Sequence, residues 1–557
     1  MTALRSQIRP GAYYDSVVLM QLQRGLLGLP GVIDAGAVMA TPVNLDLLEA
    51  SGLRPGDTPS ANDLLVVVRA QDEHAADEAL GQIDALLARR RSSAESDFRP
   101  KSLAAAGRQL PEAQWVLISV PGRYASPVAR EALALGKNVF LYSDNVSLDD
   151  EVTLKRQATA DGLMVMGPDC GTAIVGGIGF GFANRVRRGP IGLVAASGTG
   201  LQTVTSAVHT LGGGVSQAIG TGGRDLHREV GGLTALQGLD LLRRDAATQV
   251  IVVLSKPPEP EVAERIVGAA RRTGKPVVID LIGQSVLRGA LGNLHFVSGL
   301  EDAAETAVRL ASAPEGHEVE RAAGPRRYLR ALFSGGTLAY EAVLALQFVL
   351  APLSTNVPLR PDQALDNPLQ SRGHTVLDLG ADVFTVGRLH PMIDNDLRLR
   401  RLRQEAADAE TAVVLLDVVL GEGAHPDPAA ELAPAIAEAL RRPDLAVIVV
   451  LVGTDEDPQG YDSQSTRLQQ AGARVFSDLR VALDAAVRAL PAGDPSWPAA
   501  VPLEAFAAPA AINVGLESFY DSLAAQGAPA IQVDWRPPAG GDERLMGILA
   551  RMKGPAR

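Results

Sequence analysis

The feature that most limits what this chain can fold into is a rhythm. From Trp115 onward, short apolar runs of strand length alternate with amphipathic stretches of helical length. A strand that is apolar along its whole length must be covered on both faces, and an intervening helix returns the chain to a parallel neighbour. The expected fold is therefore α/β, with several doubly wound parallel-sheet domains of Rossmann or flavodoxin-like kind. Trp115–Val120 is one such run, followed by a helix over Pro127–Leu135 and by strands at Asn138–Tyr142 and Leu163–Met166. Pro190–Ala195 opens a second unit, continued by Val250–Leu254 and Pro276–Leu281. Tyr328–Phe333 opens a third, with strands at Val413–Asp417 and Ala446–Val452.

Polar stretches rich in Gly, Pro or Ala punctuate this rhythm at Ser312–Arg326 and Pro491–Pro502 and read as linkers. The N-terminal part is patterned differently. Strands at Ile8–Tyr14, Val32–Met39 and Leu64–Arg69, with helices at Ser16–Leu27 and Glu73–Arg89, suit a small ferredoxin-like α/β module, and Ser92–Ala106 reads as the linker behind it. The expected division is 1–106, 107–189, 190–311, 327–490 and a tail at 503–557 carrying strand-like segments at Ala511–Val514 and Ala530–Asp534. The units opening at Pro190 and Tyr328 read as a distant internal repeat. Each has a strand, a small Ser/Gly/Thr loop and a long helix, then a glycine-bearing loop with an acid: Gly222–Asp225 in one and Leu379–Asp382 in the other.

At 557 residues the chain exceeds what one core can serve, and length predicts roughly three to four domains. A hydrophobic fraction of 46% and a charged fraction of 21% are those of a globular protein. The formal charge of −12 argues against a nucleic-acid partner, which normally meets a basic surface. Cys170 is the single cysteine, so neither an intrachain disulfide framework nor a Cys-rich metal site is expected. The eight histidines show no HExxH or paired spacing, and no metal is expected. No apolar run reaches the roughly 18 residues a membrane span needs. The N-terminal MTALRSQIRPGAYYDS lacks an apolar signal core, which leads to an expectation of a cytoplasmic protein with no membrane partner.

The strongest chemical signal is the turn Ser197-Gly198-Thr199-Gly200, directly after the Pro190–Ala195 strand and at the start of a helix. Glycine lets the backbone bend closely, and the first helical N–H groups lack intrahelical partners at the positive end of the dipole. Such an end attracts phosphate or carboxylate. Ser334-Gly335-Gly336-Thr337 repeats the arrangement. Either turn is also readable as an ordinary Ser/Thr cap on a βα connection. GTGGRD, with Gly223, Arg224 and Asp225, is a second candidate anion loop, since a guanidinium grips an anion bidentately; its plain alternative is a salt-bridged surface turn. In FTVGRLHPMID, Arg388 can clamp an anion and His390 can transfer a proton, or the segment is a structured crossover loop. His425 and Cys170 read better as structural residues than as catalytic ones. There is no GxxxxGK[ST] loop and no complete GxGxxG.

Several stretches together resemble succinyl-CoA synthetase. SVPGRYASPVAREALALGKNV, YSDNVSLDDEV and MGPDCGTAIVGG, within 113–179, are similar to the second half of its α-subunit CoA-binding domain. IGLVAASGTG, AIGTGGRD and GKPVVIDLIG, within 190–311, are similar to its α-type ligase domain, and LFSGGTLAYEA with VLDLGADVFTVGR, within 328–490, to its β-type ligase domain. Their order and fusion, with GPDCGT, GGRDL, SKPP, VGRLHPMID and VDWRPPAGG, resemble the FdrA family over nearly the whole chain. The resemblance implies that Ser197–Gly200 and Gly335–Thr337 correspond to two helix ends that face each other around a phosphohistidine in the synthetase. It also implies that Asp144, beside Asn145, falls where the ligase carries a glutamate that holds that histidine, and that Asp382 belongs to the β-type acidic loop. The two turns are accordingly expected to converge on one phosphate-sized site, with Arg224 or Arg388 at its rim.

Three parts of the synthetase are replaced or missing. Gln284–Leu294, after VVIDLIG, holds no histidine, and His295 lies in the next strand-like run. An unrelated N-terminal module stands where the α-subunit has its glycine-rich CoA loop, and no ATP-grasp domain precedes the β-like unit. FdrA proteins are linked to carbamoyl transfer between phosphate and oxamate in allantoin-type nitrogen catabolism. The resemblance thus implies a carbamoyltransferase subunit acting on small anionic substrates, phosphate or carbamoyl phosphate. No further cofactor is required, and companion subunits in a homo- or hetero-oligomer are implied. The alternatives are an acyl-CoA synthetase using CoA and a nucleotide, or a non-catalytic scaffold subunit.

Overall fold

The computed structural model describes residues 2–10, 16–53, 56, 59–60, 63–88, 99–312, 327–493 and 497–537. Residues 92–98 of the expected linker Ser92–Ala106, residues 313–326 of the expected linker Ser312–Arg326, and the end of the tail beyond 537 lie outside the described residues. Leu103–Ala106, read as linker, instead begins the helix Leu103–Gln109, whose Leu103 and Ala106 are buried with the sheet of Trp115.

The N-terminal module is an antiparallel sheet of Ala3–Arg9, Leu64–Ala70 and Val32–Met39, with Leu64–Ala70 in the middle. The run LLVVV in that middle strand serves two cores. Leu64, Val66 and Val68 pack under the helices Ser16–Leu27 and Glu73–Gly81, while Leu65 and Val67 face Leu48 and Leu53. Period-2 alternation sends successive side chains to opposite faces, and here both faces are covered. The first strand lies at Ala3–Arg9 rather than at the Ile8–Tyr14 read from apolarity, because the partly polar ALRSQIR pairs along its full length with Leu64–Ala70.

The next sheet is parallel, in the order Ala530–Val533, Ala511–Val514, Trp115–Ile118, Asn138–Leu141, Val165–Met166. Its first two strands come from the tail. Trp115 anchors the union, its indole N–H donating to the Ala505 carbonyl at 2.8 Å and its ring meeting Phe180 and Phe506 edge-on.

An eight-stranded sheet follows. Five parallel strands run in the order Leu294–Phe296, Val277–Leu281, Val250–Ser255, Arg188–Ala195, Val215–Gly220, flanked by antiparallel strands at both edges. The hairpin Thr172–Val175 with Ile178–Gly181 forms one of those edges. The GPDCGTAIVGG stretch therefore crosses from the preceding sheet into this one.

The last sheet is wholly parallel, in the order Leu353–Thr355, His374–Asp378, Tyr328–Phe333, Thr411–Val419, Ala446–Val452, Arg474–Phe476. Counted from Arg188–Ala195, the parallel part of the first ligase-like unit has strand order 2-1-3-4-5. Counted from Tyr328–Phe333, the second has 2-3-1-4-5-6, and it shows the same 2-1-3-4-5 core once the edge strand Leu353–Thr355 is set aside. The repeat is thus one of topology as well as of loops. In such sheets the crevice beyond the carboxyl ends of the first and third strands is where ligands bind. The two units are joined by bonds from Arg271 to the Val487 and Leu490 carbonyls at 2.8 and 3.0 Å and from the Gly292 N–H to Asp484 at 2.7 Å, with an Arg360–Glu264 ion pair beside them. No helix among the described residues is long and apolar enough to cross a membrane.

Candidate functional site

The fully buried end of the strand Arg188–Ala195 delivers the chain into Ser197, the cap of the helix Gly198–Thr210. Ser197 Oγ accepts the Gly200 N–H at 3.1 Å and so caps its own helix, a bond that leaves its O–H hydrogen unused. The N–H groups of Gly198 and Thr199 have no partner among the described residues, as the geometry of a helix start requires. They border a cavity of about 230 Å³. Asp169, Cys170, Thr172 and Phe182 line it on the hairpin side, Gln202 on the helix, and Gly220, Gly222, Gly223 and Lys256 across the neighbouring strand ends. Glycine is obligatory in the GTGG loop for a steric reason. A Cβ on Gly220 would stand 2.4 Å from the Thr172 carbonyl oxygen, and one on Gly222, whose φ is +81°, would stand 2.3 Å from that of Pro168. Burial pushes the Cys170 thiol up to about 12, which keeps it a neutral, inert group in the wall.

Arg224 and Asp225 do not line this cavity. Arg224 Nε donates to Glu151 at 2.9 Å and its Nη2 to the Val146 carbonyl at 2.8 Å, which ties the loop to the helix Leu148–Ala160. Asp225 accepts from Lys155 Nζ at 2.8 Å and from the N–H groups of Thr234 and Ala235 at 3.2 and 2.9 Å. Lys155 also donates to Glu151 at 3.0 Å and to the Thr221 carbonyl at 2.9 Å. This buried carboxylate–ammonium–carboxylate chain is structural, and it removes Arg224 from the role of anion clamp. Lys256 is the cation that lines the cavity instead. Its Nζ sits 2.9 Å from where a Cβ on Gly223 would be, and no ion pair engages it among the described residues. Asp144 and Asn145 are exposed in the turn after Asn138–Leu141, and their carbonyls press on Gly122; neither lines the cavity.

The second turn is arranged differently. The Ser334 N–H and Oγ donate to Asp417 at 2.7 and 2.9 Å, and the Gly335 N–H donates to it at 3.0 Å. Asp417 is wholly buried and is also held by Arg398 at 3.2 Å. An internal carboxylate thus already satisfies the Ser334 and Gly335 donors, while the N–H groups of Gly336 and Thr337 at the helix start have no partner among the described residues. A Cβ on Gly336 would stand 2.9 Å from Asp378, and Asp378 accepts the Gly380 N–H at 2.8 Å. Burial raises the Asp378 carboxyl above its ordinary range; the Gly380 N–H opposes this and the nearby Asp417 adds to it. His390 Nδ1 accepts the Met392 N–H at 3.2 Å, and its Nε2 lies 2.8 Å from the Cβ position of Gly380, so it belongs to this carboxylate cluster. Arg388 and Asp382 are exposed beside it. None of Ser334, Gly335, Gly336 or Thr337 lines the cavity at Ser197. The expected shared cradle, with residues of both turns around one anion, is therefore not what this cavity presents.

Motif reading passed over Thr172, Lys256, Asp378 and Asp417. Lys256, Asp378 and Asp417 stand at or near the carboxyl end of a parallel strand, and a reading of every strand end would have found them.

Three family models match the chain: "AllF, heavy metal-associated domain" over residues 1–102, "CoA binding domain" over 187–283 and "CoA-ligase" over 332–489. The second falls on the stretch that motifs assign to the α-type ligase unit. A heavy metal does not fit the first. The single cysteine of the chain, Cys170, lies outside it, and no group of three or more His, Cys, Asp or Glu among the described residues is placed to hold an ion. Among relatives, the subunit SauD of the ADP-forming sulfoacetate-CoA ligase of Bilophila wadsworthia is 27% identical over 183 residues, covering 31% of this chain and 60% of that one. The α subunit of the ADP-forming succinate–CoA ligase of Aquifex aeolicus is 28% identical over 176 residues, 30% of this chain and 55% of that one. YahF of Escherichia coli K12 is 38% identical over 491 residues, 84% of this chain and 95% of that one. With an AllF-type N-terminal domain ahead of two CoA-ligase-like units, and that identity across nearly all of YahF, this chain belongs to the FdrA family of succinyl-CoA synthetase-like proteins.

Proposed function

We propose that the chain is the FdrA-type subunit of a carbamoyltransferase, moving a carbamoyl group between phosphate and oxamate or a related N-carbamoyl acid. The observation that carries this reading is the cavity at Ser197, about 230 Å³ in volume, with unpaired helix N–H groups and the Lys256 ammonium in its wall. A space of that size suits a small oxyanion better than a nucleotide-bearing cofactor, since drug-sized ligands occupy roughly 300–1,000 Å³. In the proposed step the amide nitrogen of the acceptor attacks the carbamoyl carbon, the carbon–oxygen bond to phosphate breaks, and the nitrogen loses a proton. Helix N–H groups and an ammonium favour the negative charge that develops on the departing phosphate. The stretch Gln284–Leu294, where the synthetase carries its phosphohistidine loop, has no histidine to receive a phosphoryl group, so this reading needs neither CoA nor nucleotide. The name of SauD marks it as a subunit, and companion subunits are part of the proposal here.

The test is to combine the purified chain with the proteins encoded beside it and supply N-carbamoyl-oxamate with inorganic phosphate. Carbamoyl phosphate formed without CoA or nucleotide supports the reading. Acyl-CoA formation that needs both overturns it in favour of a ligase, and equal carbamoyl transfer when this chain is left out makes it a scaffold.

A further inference from the structure

The reading of the Ser197 cavity as an anion site leaves open which side chains of this chain grip the anion, since Ser197 Oγ is held in place as a helix cap and Arg224 is turned onto Glu151. Beside the Ser197 and Thr199 hydroxyls at the helix start, two groups in the wall stand out. Thr172 is 2% exposed, and its Oγ1 is buried without a hydrogen-bond partner. A buried hydroxyl left unpaired is costly, and the large majority of such groups in folded proteins are paired. That hydroxyl borders the gap left by the missing side chain of Gly198. The nearest atoms to a Cβ there would be Thr172 Oγ1 and the backbone of Gly171, all at 3.8 Å. The helix start, the glycine gap and the unpaired hydroxyl thus meet at one place. Lys256 is the second group, an exposed ammonium lying over Gly223, its Nζ 2.9 Å from where a Cβ on that glycine would be. Asp169 is the carboxylate of the lining, and it is exposed.

We infer that Thr172 and Lys256 are the side chains that hold the phosphoryl group, Thr172 from the floor of the cavity and Lys256 from its mouth, while the N–H groups of Gly198 and Thr199 complete the shell. The ligand class is a compact oxyanion of phosphate type. The hydroxyl donates one hydrogen to a phosphoryl oxygen, the ammonium pairs with another, and the helix end faces the rest. A charge-assisted bond is roughly twice as strong as a neutral one, so Lys256 contributes more of the affinity and Thr172 more of the position. This inference rests on the anion-site reading, and the experiment separates the two.

Inorganic phosphate is titrated calorimetrically into the full chain and into five variants. Lys256→Ala is expected to weaken binding about tenfold or more, and Lys256→Arg to retain most of it. Thr172→Val, which keeps the shape and removes the hydroxyl, is expected to lose several-fold, and Thr172→Ser to bind nearly as the unaltered chain does. Asp169→Asn removes a negative charge from the wall and is expected to bind at least as tightly. Matching unfolding midpoints show that the variants are folded. Phosphate bound by Lys256→Ala or Thr172→Val as tightly as by the unaltered chain overturns the assignment of that residue and leaves the cavity an anion site. Failure of the unaltered chain to bind phosphate at millimolar concentration overturns this inference and the anion-site reading together.

Discussion

Arg224 shows how a residue of the right chemistry can be claimed by the interior. Its guanidinium has the fork that grips phosphate, yet it is turned onto Glu151 and the Val146 carbonyl. Glu151 is buried, and Lys155 alone does not satisfy both its oxygens. Arg224→Ala is therefore expected to lower unfolding stability by about 1–3 kcal/mol, the cost of removing a bond to a buried charge, while phosphate affinity stays close to that of the unaltered chain. Calorimetric unfolding and phosphate titration on the same sample check both halves; a large loss of phosphate affinity at unchanged stability would return Arg224 to the site. The glycines of GTGGRD were visible as a motif, and their steric reason is backbone crowding: a Cβ on Gly220 or Gly222 would meet backbone at 2.4 and 2.3 Å. The sequence could not rank Arg224 against Lys256, because which cation reaches a cavity depends on contacts between residues far apart in the chain, as the bonds of Arg224 to Glu151 and of Lys155 to Asp225, 73 and 70 positions apart, illustrate.

At the scale of elements, two strand–turn–helix units that share a 2-1-3-4-5 core differ in what meets their turns. The turn after Arg188–Ala195 keeps open N–H groups beside a lysine, whereas the turn after Tyr328–Phe333 closes on Asp417. Asp417→Ala removes the acceptor of three donors and leaves Arg398 buried without its carboxylate. A loss of about 3–5 kcal/mol in unfolding stability is expected, as for other broken buried pairs, measured by denaturant titration. The same sheet carries a pH-dependent element. His374 opens the strand His374–Asp378 and accepts the Leu329 N–H at 3.1 Å, and burial first, then Arg271 and Arg330, hold its imidazole down to about 3. An unfolded histidine titrates near 6.5, so between those values the unfolded chain binds a proton that the folded chain refuses. Stability from this source is intact above about pH 6.5 and falls as the pH drops toward 3, by at most about 1.4 kcal/mol per pH unit. In His374→Asn the decline of the unfolding midpoint between pH 6.5 and 4.5 is expected to be shallower than in the unaltered chain. An identical slope would show that His374 does not set it. The repeat itself was legible from two Ser/Gly/Thr turns and two acid-bearing loops. Its divergence was not, because Asp417 lies some eighty residues beyond the turn it fills, as Ser334 and Asp417 are separated by 83 positions.

For the molecule as a whole, the tail read from sequence as a separate segment completes a domain at the other end of the chain. Nothing local announces this. Ala511–Val514 and Ala530–Val533 have strand character, but their partner, Trp115–Ile118, stands almost four hundred residues earlier, and a sheet pairing over that separation leaves no periodic trace between. The pairing is deep. Ala511–Val514 lies between Ala530–Val533 and Trp115–Ile118, Phe506 packs edge-on against Trp115, Gln526 exchanges bonds of 2.7 and 3.0 Å with the main chain of Gly179, and Gln217 donates to the Phe506 carbonyl at 3.0 Å. These contacts reach both the sheet of Trp115 and the edge hairpin beside the Ser197 cavity. Removing the chain from Pro502 onward strips one side of the Trp115–Ile118 strand, opens an apolar face at Trp115, and takes away the acceptor of Gln217 Nε2 and the side chain that pairs with the Gly179 main chain. Such a truncated chain is expected to lose the cooperative unfolding transition of this sheet and to become susceptible to proteolysis between Gln114 and Ile178, while the unit from Tyr328 to Leu490, whose six strands are all its own, unfolds as before. Supplying residues 503–537 as a separate peptide should restore protection if the tail acts by completing the sheet. Full protection in the truncated chain without the peptide would mean that the tail only decorates a domain already closed.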